Sequence, residues 1–265
     1  MRLGIICAGV ALLWLAFPSA SSAQSMVNEL DLESPQMTEA EISRADVEKA
    51  LAAATPEKPA DFTGMRLNGL DLSGLDLSHT IFRATMLNKT SFVGSKLEKA
   101  VFNQAWMLKA NLTGANLKYA ELVQTQLMDA TLDGADLSGA RVSADLTNAS
   151  LKNAKFVGAN LAPDMANQSM GLMRGILRSA KLNGADFTNA NLSRVDLEFA
   201  SLTNTNLTGV NFMRAELAGA DLSGATITGA NFEDADVDSA RLISLKGIKE
   251  SNLDRATNLS AAIRD

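Results

Sequence analysis

A bulky apolar residue recurs at every fifth position through most of this chain, and this spacing constrains the fold more than any other feature. The period runs from Phe62 to Val142, continues one residue out of register from Leu146 to Leu161, and resumes from Leu172 to Leu242. Of these 36 centres, 23 have Ala two positions earlier, and the remaining positions are mostly polar. Neither a helix, which repeats every ~3.6 residues, nor a two-faced strand can keep a strict period of five on one side.

The pattern instead requires a backbone that turns a corner every five residues, with one large and one small side chain facing inward. Phenylalanines indicate the number of sides, because Phe62, Phe82 and Phe102 are spaced by 20 residues, as are Phe212 and Phe232. Aromatic rings stacked at this spacing predict four sides per turn and about nine turns in all. Gly and Asn between the centres suit corners with positive φ.

The motif Ala-(Asp/Asn)-Leu-x-x, seen clearly in residues 135–139 and 220–224, resembles the pentapeptide-repeat family. The resemblance covers residues 60–243 and implies the family's fold, an all-β right-handed quadrilateral β-helix. It implies no particular function, because members of this family do many different things. An interruption at 162–171 is expected to form a kink or a lobe that projects from the rod.

The first 23 residues match the pattern of a cleaved secretory signal peptide. Arg2 supplies a positive start, residues 5–17 form an apolar run, and Ser21-Ser22-Ala23 provides a small-residue cleavage site. The apolar run is shorter than the ~20 residues needed to span a bilayer, so no integral membrane span is expected after cleavage. The sequence thus predicts a periplasmic or secreted bacterial protein that begins at Gln24.

Short helices are expected to cap the solenoid, because its open ends would expose strand edges and apolar side chains. Residues 24–37 are interpreted as a flexible linker. Residues 38–59 are interpreted as an N-terminal capping helix that begins with a capping box, Thr38-Glu39-Ala40-Glu41. Residues 244–265 form a C-terminal cap or tail. The short amphipathic helix predicted there presents Leu253, Ala256, Leu259 and Ile263 on one face.

No set of residues for catalysis, cofactor binding or metal coordination can be assembled from the sequence. His79 is the only histidine, and the only cysteine, Cys7, lies inside the predicted signal peptide. A Ser-His-Asp or Cys-His arrangement needs a second histidine or a thiol. Met165, Met170 and Met173 could hold a soft ion such as Cu(I), but are interpreted as packing for a loop. We therefore expect no enzyme activity, no cofactor and no metal.

Some outward positions beside the centres carry large apolar residues where the repeat predicts polar ones. This candidate protein-binding patch consists of Ile81, Met86, Val101, Trp106, Leu108, Tyr119, Val123 and Met128. Several of these residues are spaced by 20, so they should stack on consecutive turns of two adjoining sides, with Tyr119 at a corner. The basic residues expected around the patch are Lys89, Lys99, Lys109 and Lys118. Contiguous apolar patches mark binding sites or covered surface, so a partner and a lobe of residues 162–176 both stay possible as the cover.

Two classes of function remain. The first is an exported, non-catalytic rod that binds or scaffolds an unidentified protein in the cell envelope, with a homo-dimer possible. The second follows from the resemblance, since some family members protect DNA gyrase by mimicking duplex DNA, and a net charge of −6 fits such a mimic. The export signal argues against the second class, because topoisomerases stay in the cytoplasm. The acidity also disfavours nucleic acid as a partner.

Overall fold

Parallel backbone pairing between segments 20 residues apart builds the body of the protein, in a computed structural model that describes residues 31, 33–55, 57–163 and 173–265. The predicted signal peptide, most of the predicted linker, the centre expected at Leu172 and most of the interruption lie outside these residues. The chain divides into two units, Met1–Leu32 and Glu33–Asp265, and only Asp31 of the first unit is described. The solenoid lies entirely in the second unit.

Each turn of the solenoid has four sides, because the centres lie five residues apart and the backbone pairs with the residue 20 positions later. The first turn pairs with the second through the bridges Asp61–Ile81, Arg66–Met86, Asp71–Ser91 and Asp76–Lys96, which mark sides 1 to 4 in that order. The same ladder continues to the ninth turn, as in Asp221–Arg241 on side 3. The predicted arrangement of four five-residue sides per turn is therefore confirmed.

The apolar centres and the small residues two positions before them form one continuous core. The described centres between Phe62 and Leu242 are at most 3% exposed. Phe82 stacks on Phe62 and Phe102 with ring centroids 5.5 and 5.0 Å apart, and Phe212 stacks on Phe232 at 5.0 Å, so the predicted aromatic stacking is also confirmed. Burial of each such side chain contributes ~1.5–3 kcal/mol, which makes the interior the main source of stability.

The residue two positions after a centre usually takes the left-handed backbone conformation that closes the corner. Gly134 (φ 68°) follows the expectation, but many non-glycine residues occupy the same conformation, among them Lys89 (φ 58°) and Phe199 (φ 59°). This conformation costs an L-residue ~1–2 kcal/mol. Stacked pairing on both flanks holds these corners, and their side chains point outward.

Two irregularities stack at one corner of the solenoid, between sides 1 and 2. The first removes one residue, since Gln126 pairs with Asp145 at a spacing of 19 residues. The second follows one turn later, where Asp145 pairs with Ile176 at a spacing of 31, which is 11 more than a regular turn. The one-residue slip and the interruption predicted from the sequence are therefore neighbours in space.

The two irregular corners are bonded to each other. The Ser143 hydroxyl donates to the Ala162 carbonyl at 3.1 Å. Gly175 ends the insertion, and a Cβ there would lie 3.1 Å from the Leu161 carbonyl oxygen and 3.3 Å from the Val142 carbonyl oxygen. The corner that lacks one residue, near Val142, therefore lies in close contact with the backbone at Gly175, where the insertion ends.

The N-terminal cap differs from the single helix predicted over 38–59. Helices span Pro35–Thr38 and Arg44–Ala52, and the capping box is formed by Ser43 and Asp46 rather than by Thr38 and Glu41. The reason lies in tertiary pairing: the Glu41 amide donates to the Arg66 carbonyl at 2.9 Å, and the Glu41 carboxylate accepts from the Arg66 amide at 3.0 Å. This segment covers the open edge of the first turn and therefore cannot begin a helix.

The Arg44–Ala52 helix covers the end of the solenoid. Val47 is completely buried against the core. The Arg44 guanidinium donates to the backbone carbonyls of Asp71 (2.7 Å) and Ser73 (3.3 Å), which satisfies groups that no earlier turn can pair. Within the described residues, neither this helix nor any other is long and apolar enough to cross a membrane.

The amphipathic helix predicted near the C-terminus is wrong. Residues 248–265 instead form two short 3-10 helices, Ile248–Glu250 and Leu253–Arg255, followed by a strand, β2 (Ile263–Arg264). Strand β2 pairs in parallel with β1 (Arg241–Leu242). Pairing with the open edge of the ninth turn satisfies backbone groups that a separate helix would leave exposed, so the tail completes an irregular tenth turn.

Candidate functional site

Side 2 carries half of the predicted patch between the second and fourth turns. Met86 and Trp106 are bridge partners in the column that precedes the centres. Leu108 and Met128 lie in the column that follows the centres, one turn apart. We call these four residues the side-2 patch, and they run diagonally across the side. All four are half-buried, because each outward side chain is flanked by neighbours ~4.8 Å above and below it.

Side 1 brings together three further residues of the prediction. Ile81 and Val101 are bridge partners, and Val123 lies across the side, where its amide donates to the Asn103 side-chain oxygen at 3.0 Å. All three are half-buried. The column of Ile81 and Val101 continues into Glu121, so the apolar run on this side ends after two turns.

Tyr119 stands apart from the other predicted residues. It is 58% exposed and lies at the corner between sides 4 and 1. Its ring covers Gly139, where an added Cβ would lie 2.5 Å from a ring carbon. Only glycine leaves room for the ring at this point, so Tyr119 packs along its own corner and does not reach side 2.

The N-terminal segment borders the side-2 patch at its upper end. Asn88, which is 4% exposed, donates from its side-chain nitrogen to the Met37 carbonyl (3.2 Å) and accepts from the Leu108 amide (3.0 Å). Asn68 contacts the same segment through the Gln36 carbonyl at 3.1 Å. Met37 itself is buried, so the last residues of the predicted flexible linker, 36–37, pack on the solenoid. The 20-residue spacing of Asn68 and Asn88 is the sequence feature that could have predicted that both contact the same segment.

Two lysines form one long edge of the side-2 patch. Lys89 and Lys109 occupy successive left-handed corners between sides 2 and 3 (φ 58° and 57°), and both are exposed. Neither ammonium group has a hydrogen-bond or ion-pair partner among the described residues. The predicted basic rim is otherwise divided, because Lys99 lies at the corner between sides 4 and 1 and Lys118 pairs with Asp136 at 3.4 Å.

An open groove of about 370 Å³, which the sequence analysis did not predict, adjoins the patch on side 1. Its lining residues are Arg83, Asn103, Gln104, Glu121, Val123, Gln124 and Arg141. Side-chain amides bridge successive turns within it, with Asn103 donating to Glu121 (2.9 Å) and Gln104 donating to Gln124 (3.1 Å). The groove is therefore a polar surface that is already bonded to itself.

The same side 2 carries a charged cluster between its sixth and eighth turns. Arg174 donates two bonds to Glu216, at 2.6 and 2.7 Å, and a third to the Arg194 carbonyl at 3.1 Å. Arg178 contacts Asp196 at 3.0 Å and also Glu198. Hydrogen bonding to Glu216 raises the pKa of Arg174 above its ordinary value, despite partial burial. Sequence reasoning missed this cluster, although Asp196 and Glu216 are 20 residues apart.

The carboxylates of this cluster have the composition of a cation site. Single oxygens of Asp196, Glu198 and Glu216 lie within 4.8 Å of one another. Arg174 and Arg178 contact all three carboxylates, so two of the three negative charges are balanced within the protein. The arrangement acts as an ion-pair clamp that holds the chain after the insertion onto side 2.

Comparison with known proteins supports the architecture. A family model described as pentapeptide repeats matches eight copies over residues 66–104, 110–143, 144–162, 177–209 and 206–242, more than half of the chain. Among curated protein sequences, none matches this chain significantly.

Several solved structures are similar. HetL, a pentapeptide repeat protein involved in heterocyst differentiation regulation in the cyanobacterium Nostoc sp. strain PCC 7120, is 28% identical, with a TM-score of 0.48 over 84% of this chain and 97% of HetL. QnrB1, a plasmid-mediated fluoroquinolone resistance protein, is 18% identical, with a TM-score of 0.39 over 77% of this chain and 93% of QnrB1. A pentapeptide repeat protein from the Arabidopsis thaliana thylakoid lumen is 26% identical, with a TM-score of 0.28 over 47% of this chain and 66% of that protein.

Proposed function

Since the chain belongs to the pentapeptide-repeat family, we propose that it is an exported, non-catalytic rod that binds a protein partner through the side-2 patch. Four apolar side chains occupy outward positions of one side over three successive turns, and this observation carries the proposal. The first 23 residues support export to the periplasm or the exterior.

The physical case for a binding surface rests on where the four side chains stand. Interior centres already supply the burial that folds the solenoid, so apolar residues at outward positions add little to folding and need another reason. Trp106 lies in the middle of the three turns, and buried aromatic anchors commonly contribute ~2 kcal/mol or more to an interface. A partner that covers the patch would complete the burial of side chains that the solenoid leaves half-buried.

Site-specific cross-linking in the native host tests the proposal. A photo-reactive residue replaces Leu108, and the matched control places it at Ala218, which occupies the same column of side 2 further along the rod. We expect position 108 to cross-link one envelope protein that position 218 does not reach. Identical products from both positions would contradict the proposal.

The double substitution Trp106→Ala with Leu108→Ala separates a partner from an internal cover. If a partner binds the patch, the cross-linked product disappears while the melting temperature stays within a few degrees. If residues 162–176 cover the patch instead, amide exchange becomes faster in that segment and no partner is lost. A change in neither measurement means that the patch is bare.

The export part of the proposal is tested separately. The protein recovered from its host should begin at Gln24 and fractionate with the periplasm or the medium. Full-length protein in the cytosol would contradict export and favour the alternative, a protein that protects gyrase or another topoisomerase by mimicking DNA.

One observation favours that alternative: residues 176–242 carry five Lys and Arg against nine Asp and Glu, a net charge of −4. Residues 81–160 carry nine basic against six acidic residues, a net charge of +3, which interrupts a continuous acidic surface. We therefore expect no effect of the purified protein on gyrase supercoiling. Inhibition at micromolar concentration would reverse the ranking.

A further inference from the structure

We propose that the partner binds the side-2 patch with an acidic amphipathic α-helix, whose carboxylates contact Lys89 and Lys109. This inference rests on the proposed function and specifies the chemistry of the partner. It follows from the charges that border the patch, the spacing of the solenoid turns and the shape of the exposed side.

Charge complementarity indicates an acidic partner. Lys89 and Lys109 form the edge of the patch toward side 3, and their ammonium groups have no partner among the described residues. The next corner residue in this column is Asp129, so the basic edge extends over two turns only. On a chain with a net charge of −6, the apolar patch lies in a segment, residues 81–160, whose net charge is +3.

The spacing of the turns favours a helix over an extended segment. Successive turns of the solenoid lie ~4.8 Å apart, so Lys89 and Lys109 begin at that separation. Residues three and four apart on a helix are separated by ~4.5 and ~6 Å along its axis, and both point to the same face. Residues that share one face of an extended strand recur at ~6.6 Å, which fits the lysines less well.

The width of the patch fits the same partner. Its two columns belong to residues on either side of one centre, so their backbones lie ~6.6 Å apart. A helix is ~10–12 Å across with its side chains and presents an apolar stripe that covers a third of its circumference. A helix of this kind, laid along the rod, places apolar side chains on Trp106 and Leu108 and one acidic flank beside the lysines.

The side-1 groove is a weaker choice for the acidic contact. Arg83 and Arg141 line it, but its Glu121 carboxylate would repel an acidic partner, its amides already bond within it, and its apolar floor is limited to Val123. The lysine edge combines positive charge with the larger apolar surface, so it is the better complement of an acidic, amphipathic segment.

Three fluorescein-labelled peptides test the inference by anisotropy with the purified protein. All three are helical 18-residue sequences with one leucine stripe, flanked by Glu in the first, by Lys in the second and by Gln in the third. We expect the Glu peptide to bind at least about tenfold more tightly than the Lys peptide, and salt to reduce this difference because it screens the lysines. Equal affinities for the three peptides would overturn the inference.

Charge reversal locates the contact. Lys89→Glu with Lys109→Glu should weaken the Glu peptide at least about tenfold and strengthen the Lys peptide. The matched control is Lys99→Glu. Lys99 is also exposed at a left-handed corner (φ 57°), but this corner lies between sides 4 and 1, away from the patch, so the substitution should leave both affinities unchanged. Equal effects of the control and the double variant would show a general charge effect and overturn the assignment.

Cross-linking in the host distinguishes failure of the inference from failure of the proposed function. If Trp106→Ala with Leu108→Ala abolishes the cross-linked product and Lys89→Glu with Lys109→Glu preserves it, a partner exists but the acidic helix is wrong. If no variant changes the products, both proposals fail. Co-sedimentation with phosphatidylglycerol vesicles that Lys89→Glu with Lys109→Glu abolishes, without binding of the Glu peptide, would assign the patch to a membrane surface instead.

Discussion

Side 2 presents two stretches with the same backbone and opposite surface chemistry. Between the second and fourth turns its outward positions carry Met86, Trp106, Leu108 and Met128, beside lysines that have no partner among the described residues. Between the sixth and eighth turns they carry carboxylates that form ion pairs with Arg174 and Arg178. Both stretches stand on buried leucine and methionine centres that are indistinguishable in exposure.

The difference shows that the repeat constrains the interior and leaves the outside free. An inward position must be apolar and of the right size, because it packs against its neighbours one turn above and below. An outward position needs only to tolerate the stacked neighbours on its column. In one stretch the outward residues form ion pairs within the protein. In the other stretch the apolar side chains stay half-buried and the two lysines have no partner among the described residues.

Substitution of one interior centre under each stretch should have the largest effect and should be equal in both. Leu127→Ala and Leu197→Ala each remove a completely buried side chain and leave a cavity. We expect each to lower the free energy of unfolding by ~2–5 kcal/mol, measured by urea denaturation followed by circular dichroism. A difference of more than ~2 kcal/mol between them would mean that the two stretches do not share one scaffold.

Loss of the ion-pair clamp should have the next largest effect. Arg174→Met removes the paired bonds to Glu216 and the bond to the Arg194 carbonyl. Because Glu216 is half-exposed, we expect a loss of ~1–2 kcal/mol in unfolding free energy rather than the full cost of a buried pair. Arg214→Met is the matched control, since its pair with Asp234 is exposed and should contribute ~0–1 kcal/mol. Equal losses from the two substitutions would show that the clamp has no structural role.

Truncation of the patch should affect stability least among the substitutions. Trp106→Ala with Leu108→Ala removes only half-buried side chains that do not fill the interior. We expect a change of ~1 kcal/mol or less in the free energy of unfolding of the isolated protein, measured by urea denaturation. A loss as large as that of Leu127→Ala would place the patch in the structural core and remove the contrast between the two stretches.

Lowering the pH should remove the stability that the Lys118–Asp136 pair contributes, whereas Lys89, which has no partner among the described residues, should make no such contribution. Partial burial opposes ionisation of Asp136, but bonds from the Ser138 hydroxyl and amide and the nearby Lys118 lower its pKa overall. A lowered pKa in the folded state contributes stability above the unfolded pKa of ~3.9, and this contribution is lost as the pH falls through the folded value.

Asp136→Asn should therefore lose less stability than the unchanged protein between pH 5 and pH 2.5, as measured by urea midpoints. Lys89→Gln is the control and should follow the unchanged protein, because Lys89 has no partner among the described residues. An identical pH profile for Asp136→Asn would contradict the contribution of this carboxylate.

The candidate site was predictable in part. Stacking of Met86 with Trp106 and of Ile81 with Val101 followed from the 20-residue spacing, because parallel pairing converts a sequence spacing into a contact. The predicted corner position of Tyr119 is confirmed, but the spacing does not predict that its ring lies on Gly139, one turn away along the same corner. Within the charged cluster, the pairing of Arg178 with Glu198 follows the same 20-residue spacing, whereas the contact of Arg174 with Glu216 spans two turns and does not follow from that spacing.

The sequence by itself determined the interior of this protein, its four sides and its number of turns. A period of five requires a corner after each apolar centre, and the 20-residue spacing of the phenylalanines sets four sides per turn. Only the tertiary structure decided the two ends and the contact of Arg174 with Glu216. The sequence signals for a helix at Thr38–Glu41 and after Ser251 do not produce the predicted helices, because the open edges of the first and ninth turns offer unpaired backbone groups. Hydrogen bonds to these groups stabilise the protein more than a short isolated helix does.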